Sequence, residues 1–226
     1  MQQMVLDLEL QPSYCEADYH VSPAHELSYQ HVMQTSQWLA HALLVCGSEG
    51  SGKTHLAHIW ANKYCATFLN LTNLSPEGLN NLLRIIPVPY VVVDGIERAD
   101  ELLLFHTFNT IKELGGKLLM TTQVDPYYWQ WHINDVSSRI KACEIMKLHE
   151  PDEQTLSVIM YKYASDHQLI VSSEVVSFIL KHGERSYGYI NRLMRALDKN
   201  SMQHKRPVTL FLVKQVIETG FFLSLS

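Results

Sequence analysis

Residues 47–54 read Gly-Ser-Glu-Gly-Ser-Gly-Lys-Thr, a G-x-x-x-x-G-K-T spacing that restricts the fold more tightly than any other stretch of the chain. Glycines at these places let the backbone curl until several N–H groups face one cavity. A helix that starts at the lysine adds its partial positive charge. The flanks supply what that geometry requires. An apolar run at 42–45 reads as a buried strand, and after Lys53 the apolar Leu56, Ile59 and Trp60 recur at helical spacing beside small Ala57 and Ala61. The pattern predicts a strand–loop–helix unit whose Gly47, Ser48, Glu49, Gly50, Ser51 and Gly52 wrap phosphate, with His55 next on the helix. Lys53 then reaches the β- and γ-phosphate oxygens, and the Thr54 hydroxyl is a ligand for the accompanying Mg2+. This is a nucleotide site.

An acid at a second strand end is the next constraint. Residues 89–94, Pro-Tyr-Val-Val-Val-Asp, are apolar without alternation, as buried parallel strands are. Asp94 either orients a magnesium-bound water beside the phosphate loop or caps the following helix, and the loop favours the first role. Further strand signals at 66–71, 117–121 and 144–148 alternate with helix signals at 75–83, 97–114 and 135–141. Five strands alternating with helices call for a parallel sheet covered on both faces. The fourth strand ends in the polar trio Thr121, Thr122 and Gln123, and the 135–141 helix carries Ser138 and Arg139. Upstream, Ser22-Pro23 starts a helix predicted over 22–34. In the lead-in before it, Tyr19 and Val21 either touch the nucleotide base or simply pack.

After Glu150-Pro151-Asp152 the strand signal stops, and helices are predicted at 152–168, 173–182, 187–202 and 209–218. The chain therefore divides into a peptide at 1–10, an α/β domain at 11–150 and a small helical domain at 151–226. In the peptide, Leu6, Leu8 and Leu10 alternate with acids. It is either an edge strand on the chain's own sheet or an extended segment that docks on a partner.

Composition narrows the partners. Hydrophobic content of 46% with 18% charged residues suits a soluble globular protein, and the net charge of −5 argues against a wide grip on nucleic acid. No apolar run approaches a membrane span, no export signal opens the chain, and the four cysteines include no C-x-x-C pair. A cytoplasmic protein with reduced thiols is the expectation. His55 and His58 stand at i and i+3 with no third ligand in the pattern, so they read as ordinary helix residues.

A phosphate loop, an Asp-ended strand, a polar strand tip, a late arginine and a helical lid make up the AAA+ layout. Within it, Gly52-Lys53-Thr54-His55-Leu56, residues 118–126 and Asp135-Val136-Ser137-Ser138-Arg139-Ile140 resemble the ATPase domain of the DnaA family of replication initiators. The likeness is greatest to its short Hda-like members, which inactivate the initiator, and it covers nearly the whole chain. Gln3-Met4-Val5-Leu6-Asp7-Leu8 resembles the Q-L-x-L-x-L peptide by which replication factors bind the polymerase sliding clamp.

The resemblance implies ADP or ATP with Mg2+ as cofactors, and the DnaA initiator and the sliding clamp as partners, with self-association among the assemblies it allows. Lys53 and Thr54 match the phosphate and magnesium residues, and Asp94 the Walker B acid. Thr122 or Gln123 holds the first sensor position. Asn191 stands where the second sensor arginine is usual, with Arg192 beside it on another helix face. Arg139 matches the arginine finger that reaches a neighbour's γ-phosphate, against the plainer reading of a surface ion pair. Gln3, Met4, Leu6 and Leu8 match the clamp-binding side chains. Gly95 departs from the pattern, since a hydrolytic member has an acid there; the next carboxylate, Glu97, is three residues beyond Asp94. The sequence ends at residue 226, which leaves no room for a helix-turn-helix DNA-binding domain. The implied function is to dock on the clamp and promote ATP hydrolysis by DnaA, so limiting re-initiation. The rivals are an ATPase that uses its own turnover in helicase loading or initiation, and a DNA-binding initiator fragment.

Overall fold

The computed structural model describes residues 14, 16, 19, 21, 25–72, 74–85, 89–204 and 207–219. Gln3, Met4, Leu6 and Leu8 lie outside them, as does the Ser22-Pro23 helix start. The first described helix, α1, is Glu26–Val32.

Five parallel strands form one sheet: β1 (Ala42–Gly47), β2 (Thr67–Phe68), β3 (Tyr90–Val93), β4 (Lys117–Thr122) and β5 (Glu144–Leu148), in the order β2-β3-β4-β1-β5. The helices α2 (Lys53–Tyr64), α3 (Pro76–Ile85), α4 (Glu101–Glu113) and α5 (Asn134–Ala142) alternate with them. Successive strand residues face opposite sides, and the core divides accordingly. Ala42 and Leu44 of β1, Val91 and Val93 of β3, and Leu118 and Met120 of β4 pack with α3, α4 and α5. Leu43, Val45, Val92 and Leu119 pack on the other face with Leu56, Ile59 and Trp60 of α2 and Val32 of α1. Burial on both faces is why these strands carry no polar alternation.

Three boundaries move from the sequence expectation, each for a local reason. β2 keeps two of the six residues predicted at 66–71, because the chain leaves the sheet edge: Leu71 instead gives its carbonyl to the Asp100 N–H at 3.3 Å. The helix predicted at 97–114 starts at Glu101. Gly95 takes φ 74°, a 3-10 turn occupies Ile96–Arg98, and the Asp100 carboxylate accepts the Leu103 N–H as a new N-cap. β1 runs on to Gly47, because pairing with β5 continues through the Gly47–Leu148 register.

The remaining helices are α6 (Glu153–Asp166), α7 (Ser173–His182), α8 (Tyr187–His204) and α9 (Leu210–Glu218). Asp152, Ser172 and Thr209 cap α6, α7 and α9 through their side chains. Leu156, Met160, Ile179, Ile190, Leu193, Leu197 and Val213 form a core separate from the two on the sheet. No helix among the described residues is long and apolar enough to cross a membrane.

Three histidines sit where charge is unwelcome. The His25 ring is buried and accepts the His149 N–H at 3.0 Å; His41 packs edge-on to Phe108; His58 is stacked between Tyr14 and Phe68. Burial is the chief cause that lowers each below the ordinary histidine value of 6.5. The unfolded chain therefore takes up protons at a higher pH than the folded one. Stability is full above pH ~6.5 and is lost as pH falls from there through the depressed folded values. Urea midpoints measured at pH 8, 7, 6 and 5.5 should be level between 8 and 7 and then decline. A midpoint that rises on acidification would contradict the buried, neutral assignment.

Candidate functional site

β1 lies between β4 and β5 and delivers its carboxyl end into the 47–52 loop. Gly50 and Gly52 adopt φ 74° and 92°, which side chains resist. Space is as restrictive as the torsion angles. A Cβ at Gly47 would come 2.5 Å from the Leu148 carbonyl oxygen, and one at Gly50 would come 2.7 Å from the Ser186 Cβ. Lys53 opens α2 and is 7% exposed. Its Nζ donates to the carbonyl oxygens of Gly47 at 2.7 Å and Ser48 at 2.6 Å. Burial pulls its pKa down, opposed chiefly by the charges of Glu97 and Asp94. The Ser48 hydroxyl is buried and has no hydrogen-bond partner among the described residues. A buried cation and an orphaned hydroxyl on a glycine loop at a helix N-terminus are suited to an anion.

Asp94 follows β3 directly and faces this loop. Thr54 Oγ1 donates to its carboxylate at 3.0 Å, and Thr121 Oγ1 donates at 2.5 Å while accepting the Gly95 N–H at 2.9 Å. The carboxylate thus gathers two hydroxyls across the sheet and caps no helix. One hydroxyl and one carboxylate meeting at that distance fit Mg2+, whose other positions go to phosphate oxygens and water. Among the described residues no group of three His, Cys, Asp or Glu could hold a metal alone.

Thr121 is the residue that sequence reasoning did not single out from its trio. Strand register was the missing information: β4 sets Met120 beside Val93, so Thr121 comes level with Asp94. Thr122 turns away, donating to the Val124 carbonyl at 3.0 Å and accepting the Val124 N–H at 3.1 Å, and Gln123 is exposed.

The helical bundle meets the loop at the start of α8. The Tyr187 N–H donates to the Gly50 carbonyl at 3.0 Å, and Ser186 accepts the Tyr189 N–H as N-cap. A Cβ at Gly188 would stand 3.8 Å from the Gly50 Cα and 3.4 Å from the Arg192 guanidinium. Arg192 therefore lies on the Gly188 side of α8, one turn beyond it; Asn191 and Arg192 are both exposed. Tyr19 flanks Gly52: a Cβ there would meet its ring at 3.3 Å and the Tyr187 ring at 3.8 Å. Tyr19 also stacks on Tyr29 at 5.7 Å and meets His55 edge-on at 5.1 Å. Burial raises the phenol pKa of Tyr19 and pushes that of Tyr187 up to about 12, so both stay neutral. Val21 is half-buried, and Glu49 is exposed at the loop tip.

Arg139, on α5, is far from this centre. Its guanidinium lies over Phe105 at 4.8 Å and Phe108 at 5.7 Å, and the Phe108 carbonyl in turn meets His41 Nε2 at 3.1 Å. His41 precedes β1, so Arg139 belongs to the amino end of the strand whose other end holds the phosphate loop. Six strand residues separate those ends by about 20 Å. The Arg139 Nε is buried without a hydrogen-bond partner among the described residues.

Residues 152–217 match the family described as Hda, lid domain. A chromosomal replication initiator protein DnaA from Buchnera aphidicola is 23% identical over 95% of the chain. The chain spans about half of that relative's length, 55%. Domain III of DnaA from Thermotoga maritima superposes with TM-score 0.74 at 17% identity, covering 94% of this chain and 98% of that one. An AMPPCP-bound DnaA from Aquifex aeolicus superposes with TM-score 0.70 at 19% identity, covering 93% of this chain and 71% of that one.

Two glycine variants separate steric contact from backbone strain. Gly115 has φ 69° with nothing within 4 Å of where a Cβ would stand, so Gly115→Ala should cost only left-handed strain, about 1 kcal/mol. Gly50→Ala adds a collision with Ser186 and should cost about 1–3 kcal/mol more. Denaturant unfolding of both measures the difference; equal losses would mean that the bundle does not bear on the loop.

Proposed function

We propose, for a chain that is an Hda-like member of the DnaA family of AAA+ proteins, that it binds adenine nucleotide and promotes ATP hydrolysis on a DnaA initiator. In this reading the loop at 47–54 holds the phosphates of ADP or ATP, Lys53 and the buried Ser48 hydroxyl meet their charge, and Thr54 with Asp94 holds Mg2+. Tyr19, Val21 and His55 line the approach to the base. Thr121 joins Thr122 and Gln123 at the strand tip, and Arg192 faces the nucleotide from α8 more directly than Asn191. The N-terminal Gln3, Met4, Leu6 and Leu8 hold the sliding clamp, which would confine the activity to replicating DNA.

The observation that carries the trans assignment is the place of Arg139. About 20 Å from its own phosphate loop, it has no reach to a nucleotide bound there. Its guanidinium makes no hydrogen bond or ion pair among the described residues, and Phe105 and Phe108 brace its plane. A guanidinium held that way at the far end of the sheet suits a triphosphate bound by a second molecule. There it would spread the negative charge that develops as the γ-phosphoryl group transfers.

The test is hydrolysis of ATP pre-bound to DnaA, with clamp loaded on DNA and this protein added. Arg139→Ala should lower the stimulated rate by ~10³, and Arg139→Lys should not restore it. Gln3→Ala should reduce stimulation only where the clamp is present. Full stimulation by Arg139→Ala would exclude the finger role, and clamp-independent stimulation equal to the complete system would exclude docking.

A further inference from the structure

The chain lacks an acid directly after Asp94, because Gly95 occupies that place. The turn around Gly95 brings a different carboxylate to the site. At φ 74° the backbone reverses, its N–H fastened to the Thr121 hydroxyl at 2.9 Å. A side chain here would carry left-handed strain and displace the Arg98 guanidinium, so glycine suits the tight 3-10 turn at Ile96–Arg98. That turn advances about 2 Å per residue, so Glu97 stays beside the strand end instead of departing along a helix.

Glu97 has an unusual environment. Its Oε2 is buried and has no hydrogen-bond partner among the described residues. No ion pair within 4.0 Å engages it among the described residues, Lys53 included. It is nevertheless the charge that acts most strongly on the Lys53 ammonium, ahead of Asp94, and it also acts on Cys46 at the end of β1. A carboxylate oxygen sequestered from water and left without a donor has no structural purpose that the surrounding contacts supply. It lies within the field of the lysine that faces the terminal phosphate and a short turn from the Thr54–Asp94 pair.

We propose that Glu97 is the water-orienting carboxylate of a slow intrinsic ATPase in this chain, replacing the acid missing at position 95. The inference rests on nucleotide binding at 47–54. Oε2 accepts a hydrogen bond from the attacking water and takes its proton as the water oxygen bonds to the γ-phosphorus. The bond from phosphorus to the β–γ bridging oxygen breaks, and its electron pair leaves on ADP. The proton then passes to the released phosphate or to solvent. Lys53 stays on the phosphate oxygens, while Thr54 and Asp94 would hold the Mg2+ that accompanies them. Without a second molecule's guanidinium at this site, turnover is slow and is measured with protein in excess over ATP.

The experiment compares wild type with Glu97→Gln, which keeps the shape and removes the proton acceptor. Single-turnover hydrolysis of γ-labelled ATP should fall at least tenfold. ADP affinity by calorimetry should stay within about threefold, because the side chain meets water and not ADP. The ADP–aluminium fluoride complex, which mimics the transferring group with its in-line water, should form on wild type and be lost on Glu97→Gln. Equal turnover by the two proteins, or a wild type that binds ATP and never cleaves it, would overturn the proposal while leaving nucleotide binding intact. A wild type that binds neither ADP nor ATP would overturn it together with the nucleotide reading.

Discussion

Lys53 carries a positive charge to a position that is 7% exposed, and the rest of the site is arranged around that fact. A buried ammonium keeps its proton only where acceptors and negative charge replace the lost water. The Gly47 and Ser48 carbonyl oxygens supply the first, at 2.7 and 2.6 Å. Glu97 and Asp94 supply the second. Neither carboxylate is in direct contact with the ammonium, so the charge is tolerated at a distance and is not neutralised by a salt bridge. Such a cation is poised for an anion that enters between it and the loop, and a phosphate chain has the right charge and the right number of acceptors.

The architecture follows from the need to bring those groups together. Parallel strands end on one edge, so Thr54 after the β1 loop, Asp94 after β3 and Thr121 near the end of β4 converge although 40 residues separate the first pair in sequence and 27 the second. The helical bundle contributes through a narrow contact, Tyr187 to Gly50, backbone to backbone. Because that contact falls on the phosphate loop itself, whatever fills the loop also changes what the bundle rests against. Arg139 stands outside this convergence, at the other end of β1. One sheet thus carries the glycine loop with Lys53 and Asp94 at its carboxyl edge and, at the amino end of β1, a guanidinium stacked on Phe105 and Phe108.

Much of this was legible in the sequence. The strand–loop–helix around residues 47–54, the Val91-Val92-Val93 strand with its closing acid, and the change to helices after residue 150 each depend on local pattern, and each element is found where the pattern put it. What was not legible depends on pairing across the chain. Thr121 outranks Thr122 and Gln123 at Asp94 only because of the β3–β4 register. Arg192 lies on the loop side of α8 because Gly188, one turn earlier, faces Gly50. The short β2 reflects an edge strand with one neighbour: Leu69 still donates its N–H to the Val92 carbonyl at 2.8 Å, and buried Leu71 turns its carbonyl to the Asp100 N–H. The stacking of His58 between Tyr14 and Phe68 likewise joins residues that no spacing rule connects.

The central claim is that this buried cation exists to hold the phosphates of an adenine nucleotide. Titration calorimetry of ADP into the wild-type chain and into Lys53→Met, each with and without Mg2+, tests it most directly. The account expects saturable one-to-one binding by wild type that strengthens with Mg2+, and at least a tenfold loss in Lys53→Met with the fold retained. No binding by wild type, or equal affinity for both proteins, would contradict it.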